Sequence, residues 1–300
     1  MSTLKKILIG TSALIALLAI ALLIVIWKFG IWGILFPSDA YETTPPEIAA
    51  DFGEGSSLRV LVYSKTNSFR HVEGIEAAHA LFDDIAAQRG WAVFHSENSA
   101  LLGEGELDRF DVIVFASASG NHASDEQDAA FQKWLEAGGG WVGIHAAGDG
   151  SHAAWTWYAE NLVSGEYLGH ILGPQTQEAR VIVEDRNHPV TRGLPPSFQH
   201  EEEWYSWGRG AREAGFHVLL TVDESTYEPW IRGFGQEVDI RMTDHPIVWS
   251  RCIERGRAIY TAMGHWGDAY QKDYTQTLLT NAVEWASGTG GEACPTGAGR

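Results

Sequence analysis

Cysteine is scarce in this 300-residue chain: there are two, Cys252 and Cys294. Two thiols cannot build a zinc knuckle or a disulfide framework. One Cys252–Cys294 bridge in an oxidising compartment is the most they allow, and sequence does not set their distance. Positive charge is also short, with 21 Lys and Arg against 39 Asp and Glu and a formal net charge of −18. Nucleic-acid binding needs clustered cations to displace counterions, so this balance argues against it. It equally disfavours broad contact of the body with anionic lipid. No HExxH or other helical metal-ligand spacing occurs, and there is no internal repeat. Any metal site must therefore be assembled by the fold from distant loops.

What the chain does have is 45% apolar residues and thirteen Trp, enough for a substantial core. The length suits one large domain with appendages. From Ile7 to Trp27 no residue is charged, a run of about 21 residues that can cross a bilayer core of roughly 30 Å. Lys5 and Lys6 precede it, which favours a cytoplasmic N-terminus and places the domain in a periplasm-like or extracellular space. A buried core helix is disfavoured because the run lacks a polar stripe. A cleaved signal peptide is the competing reading, although the small residues of Ser38-Asp39-Ala40 lie far beyond the apolar run. The chain thus divides into a cytoplasmic N-terminus (1–6), a transmembrane anchor (7–27), a linker (28–56), a domain (57–288) and a flexible tail (289–300). Prolines 37, 45 and 46, with acids and Ser, make the linker read as a stiff, solvated spacer.

Within the domain, Leu58 to Ser64, Trp91 to Ser96, Phe110 to Ala116 and Trp141 to His145 read as strands. Helical spacing lies between them over Glu73 to Arg89 and around Phe131, Trp134 and Leu135, the latter capped by Ser124 or Asp125. Strand–helix alternation predicts right-handed crossovers and a parallel sheet covered on both faces. Farther on, Arg180 to Glu184 and His217 to Val222 read as strands. Pro246 to Cys252 and Arg257 to Ala262 read as a hairpin, and Tyr274 to Ala286 as a closing helix. In such sheets ligands collect at the carboxyl ends of the strands. The loops expected there carry His71, His122, His145 and His152.

Several segments in order resemble the ThuA-like (trehalose-utilisation) family. They are Ser68-Phe69-Arg70-His71, Gly143-Ile144-His145-Ala146-Ala147, Gly165-Glu166-Tyr167-Leu168-Gly169-His170, Asn187-His188-Pro189-Val190-Thr191, Glu202-Glu203-Trp204-Tyr205 and Gly264-His265-Trp266. The resemblance covers roughly residues 57 to 288. It implies an α/β, flavodoxin-like three-layer fold akin to class I glutamine amidotransferases, with a central, mostly parallel sheet. It also implies a link to trehalose and related sugars, and it transfers architecture more firmly than activity.

Amidotransferases carry a cysteine on a tight strand-to-helix turn with small flanks. Here Gly143 and Ala147 supply the flanks, but His145 takes the nucleophile position. Hydrolysis of glutamine through a thioester needs a thiolate, so glutaminase activity is rejected. His145 then reads as a general acid or base, as a metal ligand, or as a hydrogen-bonded space filler. The candidate catalytic residues are His145, His71, Glu203 and His265. Arg70, His122, Asp149, His170, Tyr205 and Trp266 are the candidate ligand-binding residues. His71, His145, His170 and His265 are the candidate ligands of zinc or another divalent metal. The Glu201-Glu202-Glu203 cluster also reads as an ordinary solvated face. Aromatics in or near the loops (Trp155, Trp157, Tyr158, Trp204, Tyr205, Trp207, Trp266 and Tyr270) read either as sugar platforms or as ordinary core. The expected function is a membrane-anchored enzyme acting on a sugar or keto-sugar. The alternative is a non-catalytic carbohydrate-binding or assembly module, and a homo-oligomer is left open.

Overall fold

A long uncovered helix leads into the domain. In this computed structural model, which describes residues 3–290 apart from 153 and 234, helix α1 spans Thr3–Lys28. None of its apolar window is buried, and it is long and apolar enough to cross a membrane. A short helix α2, Trp32–Leu35, follows. The segment expected as a solvated spacer instead runs along the domain. The Glu42 carboxylate takes the Lys65 ammonium at 2.7 Å and the Ser99 amide at 3.0 Å, and Asn67 Nδ2 donates to Ala40 O at 2.9 Å. Ile48 is buried. Its polar residues thus find partners on the domain as well as water.

The strands are β1 Arg59–Tyr63, β2 Ala92–Ser96, β3 Val112–Ala116, β4 Gly140–Ile144, β5 Tyr167–His170, β6 Gln177–Val183 and β7 Ser197–Glu202. They continue with β8 Tyr205–Trp207, β9 His217–Val222, β10 Trp230–Gly233, β11 Gln236–Asp239, β12 Pro246–Ile253 and β13 Gly256–Thr261. The helices are α3 Val72–Arg89, α4 Asp125–Glu136, α5 Thr156–Asn161 and α6 Asp273–Ala286.

Nine strands form one sheet in the order β2-β1-β3-β4-β13-β12-β9-β6-β7. The first five are mutually parallel. From β13 outward every pairing is antiparallel. Alternation of direction then makes β9 and β7 run with β1, and only β12 and β6 run against it. The carboxyl ends of β1, β3, β4, β13 and β7 therefore all reach one edge of the sheet.

Trp141 and Phe115 pack against Phe131 of α4 and Tyr158 of α5 on one face. On the other face α6 lies so close that a Cβ on Gly140 would sit 2.6 Å from Ala286 O. Local signals set the element ends. Gly90, at φ 70°, closes α3, and Ser124 with Gln127 forms a reciprocal capping box on α4. The expected hairpin is present, with Ile253 opposite Gly256.

Candidate functional site

Four buried side chains meet at the carboxyl edge. His71 stands at the N-terminus of α3, and His145, Glu203 and His265 follow β4, β7 and β13. One donor atom from each lies within 4.8 Å of the other three. The imidazole centroids are 4.5 Å apart for His71 and His145, 4.9 Å for His71 and His265, and 5.1 Å for His145 and His265. The three histidines, far apart in the chain, share one environment.

His145 sits on a sharp turn with φ 49°, a left-handed conformation that costs a non-glycine residue energy and needs support from its surroundings. Tyr260 supplies some of it, its hydroxyl donating to His145 O at 2.8 Å. Gly148 has to be small, because a Cβ there would lie 2.4 Å from the same hydroxyl. His145 Nδ1 donates to Ala262 O at 2.8 Å, which aims Nε2 at the cluster. Nε2 lies 3.2 Å from His265 Nδ1 and 3.0 Å from the Tyr205 hydroxyl. Burial works against charge on this ring, but the hydrogen bond to Glu203 and the charge of Glu202 outweigh it and raise its pKa.

Glu203 is the hub. Its Oε2 lies 3.2 Å from His265 Nδ1, 3.4 Å from His145 Nε2 and 3.8 Å from His71 Nε2. Its Oε1 takes Gln175 Nε2 at 2.9 Å and faces His170 Nδ1 at 3.2 Å. Burial alone would raise its pKa, but the hydrogen bonds from His145, His265 and His71 hold it far below the usual carboxylate range. Burial lowers His71 to about 3, helped by the neighbouring His145, so this ring is neutral. Its buried Nδ1 has no hydrogen-bond partner among the described residues.

The remaining candidates are placed as follows. His170 does not join the four-donor group: its Nδ1 is also 2.7 Å from Ile171 O, and Glu203 supplies the fourth donor where the sequence reading had His170. Arg70 spends its guanidinium on Glu97 at 2.6 Å and Thr66 at 3.0 Å. His122 packs beside Tyr63, Phe115 and His152, apart from the four-donor group. Asp149, held by the Ser151 amide at 2.8 Å, lines a cavity of about 280 Å³ with Glu203, His170, Tyr205 and Tyr167. Burial pushes its pKa up to about 6. Trp266 caps His265 at a centroid distance of 4.3 Å and is 36% exposed. Trp204, Trp207, Tyr158 and Tyr270 are core residues. Cys294 lies outside the described residues, and with it the Cys252–Cys294 question; so do residues 291–300 of the expected tail.

Glu202 and Gln175 escaped the sequence reading. Glu202 is buried, accepts from Gly264 N at 2.6 Å and faces His200 at 3.4 Å. Burial opposes its ionisation, yet His200 and the charges of His145 and His265 bring it down to about 2. Period-two alternation along β7, with His200 and Glu202 inward and Glu201 outward, was the available signal, and a run of three acids masked it.

A sequence model of the ThuA family, described as trehalose utilisation, matches residues 59–286. Among solved structures, a ThuA-like protein from Bacteroides uniformis is 28% identical with a TM-score of 0.66, over 81% of this chain and 95% of that one. A ThuA-like protein from Parabacteroides merdae is 20% identical with a TM-score of 0.58, over 79% and 93%. A cytoplasmic protein from Salmonella typhimurium shares the fold at 12% identity with a TM-score of 0.50, over 76% and 99%. No curated protein matches the sequence. With the family match spanning most of the chain, this protein belongs to the ThuA-like, trehalose-utilisation family.

Proposed function

We propose that the domain is a carbohydrate-processing enzyme whose centre is a divalent metal ion held by His71, His145, Glu203 and His265. The buried four-donor cluster carries this reading. Three imidazoles and a carboxylate match the preferences of zinc and neighbouring first-row ions. A neutral His71 and an ionised Glu203 are in the protonation states that ligands need, and His145, whose pKa is raised, would give up its proton as the ion binds. When bound, such an ion polarises a carbonyl or lowers the pKa of a hydroxyl or water.

The chain's own residues would do the rest. The adjoining cavity, about 280 Å³, sits near the lower end of ligand pockets, roughly 300 Å³, and suits one sugar ring. Tyr205 and His170 offer its hydroxyls partners. Asp149, with its pKa near 6, is placed to give or take a proton at neutral pH. The sugar class comes from the family's link to trehalose utilisation. Helix α1 would anchor the enzyme, with the lysines before it favouring a domain outside the cytoplasm.

The test is metal content and turnover of the full-length protein in detergent, with His145→Ala beside it. One ion per chain, lost in the variant, together with metal-dependent conversion of a sugar or keto-sugar from a panel, supports the reading. Failure to retain zinc, manganese, cobalt or iron overturns it. Sugar binding without turnover in every metal state would make the protein a carbohydrate-binding module instead.

A further inference from the structure

We infer that this site is fed from the membrane surface: its substrate is the neutral saccharide headgroup of a glycolipid in the leaflet where α1 ends. The inference rests on the metal-centre reading and names its substrate class.

The anchor and the site form one packed unit. Directly after α1 the chain docks on the loop that delivers His71, with Arg70 N donating to Gly30 O at 2.9 Å. Two glycines make this approach possible. A Cβ on Gly30 would lie 1.9 Å from Arg70 O, and one on Gly33 would lie 2.1 Å from Ser68 O. Gly30 also has φ +69°, which few other residues adopt. The domain therefore does not swing on a free tether; its His71 loop is clamped to the end of the spanning helix.

Two cavities that reach the cluster are walled by this same segment. The larger, about 470 Å³, is bounded by Phe29 and Ile31 together with His71, His265 and Trp266. The smaller, about 280 Å³, has Ile34 in its wall beside Glu203. Lys28 closes α1, and the cavity-wall residues Phe29, Ile31 and Ile34 all lie within six residues of it. So short a connection keeps the mouth of the site close to the membrane end of α1, beside the polar layer of the leaflet.

The rim has the chemistry of that layer. Trp27, Phe29, Trp32 and Phe36 are 68%, 65%, 45% and 51% exposed, and Trp266 at the cavity lip is 36% exposed. Aromatic side chains concentrate at membrane–water interfaces, where an apolar ring can sit beside polar headgroups. A site for a freely diffusing sugar has no need of an apolar rim continuous with an anchor. The chain's formal charge of −18 disfavours phosphorylated or otherwise anionic headgroups, which leaves a neutral sugar on lipid.

The experiment uses full-length protein in phosphatidylcholine nanodiscs, loaded with Cu²⁺, which histidine sites bind tightly, and carrying lipids spin-labelled at the headgroup. The cluster's Cu²⁺ should broaden the headgroup label strongly, and the effect should vanish in His145→Ala. An eight-residue Gly-Ser insertion between Lys28 and Phe29 should keep the Cu²⁺ and lose the broadening. Glucosyl-diacylglycerol in the disc should perturb the Cu²⁺ spectrum at concentrations at least tenfold below those of free methyl glucoside, and the insertion should erase that preference. Bound Cu²⁺ with a silent headgroup label overturns this inference alone. So does equal or better response to the free glucoside, or a lipid preference that survives the insertion. Absence of a His145-dependent Cu²⁺ site overturns the metal reading and this one with it.

Discussion

The backbone N–H of Gly264 donates to Glu202 Oε2 at 2.6 Å, which ties the loop carrying His265 to the strand end that carries Glu203. His265 N also points at this carboxylate, 3.3 Å from Oε1. Glu202 thus holds two of the four proposed ligands in register without being one of them. Partners of this kind are worth about 10–100-fold in metal affinity. Glu202→Gln should weaken zinc binding by that factor in a chelator competition while leaving the far-ultraviolet dichroism unchanged. Unaltered zinc affinity would deny Glu202 this positioning role.

Gly74 in α3 is the reverse contact on the same loop. A Cβ there would sit 2.5 Å from Gly264 O and 2.9 Å from His265 O, both backbone atoms that cannot rotate away. Gly74→Ala should lower stability by about 1–3 kcal/mol through overpacking. The loss should appear as a fall in urea midpoint, with weaker zinc binding because His265 moves with its loop.

Asp149 gives a pH signature. Its pKa rises from 3.8 unfolded to about 6 folded because burial disfavours the carboxylate. The folded state therefore holds a proton that the unfolded state releases. This stabilises the fold fully below about pH 4 and is lost as pH climbs through 6. The upper bound is about 3 kcal/mol, since each pKa unit is about 1.4 kcal/mol. Asp149→Asn carries no such charge, so it should melt a few degrees above wild type at pH 8, with the gap closing toward pH 4. A constant gap across that range would contradict the assignment.

Helix α1 is apolar and uncovered over its length. Full-length protein, at 33.0 kDa, should stay in the pellet after a carbonate wash. A shortened, soluble product would mean that the segment is a removed leader.

No thiol stands at the turn after β4, where His145 occupies the strained position. Incubation with glutamine should release no ammonia above background, and Cys252→Ser should change nothing. Ammonia release lost in that variant would restore the glutaminase reading.

Strands β1 and β3 were legible because each is a short apolar run with a turn signal and a helical period after it. Arg59–Tyr63 and Val112–Ala116 show this, with burial at nearly every position. Strands β7 and β11 were not legible. Ser197–Glu202 is mostly polar and Gln236–Asp239 is wholly exposed, so neither carries the apolar pattern that marks a strand. The histidines at the carboxyl edge were legible as individual residues in loops. Their assembly with Glu203 was only partly so, because a carboxylate in an acidic run looks like solvated surface until the strand direction is known.

Composition and local pattern by themselves determined the alternating α/β architecture and the apolar N-terminal helix, while the order of short motifs, by resemblance, pointed to the family and to a nucleophile turn without a thiol. The first two depend on residues close in sequence, whose periodicity reports which side of an element meets the core. Only the tertiary structure decided that His71, His145, Glu203 and His265 converge within 4.8 Å, and that the segment after α1 lies across the mouth of their site. Those relations join residues from about forty to more than two hundred positions apart. They are set by strand order and by backbone contacts that glycine makes possible, neither of which leaves a periodic trace in the chain.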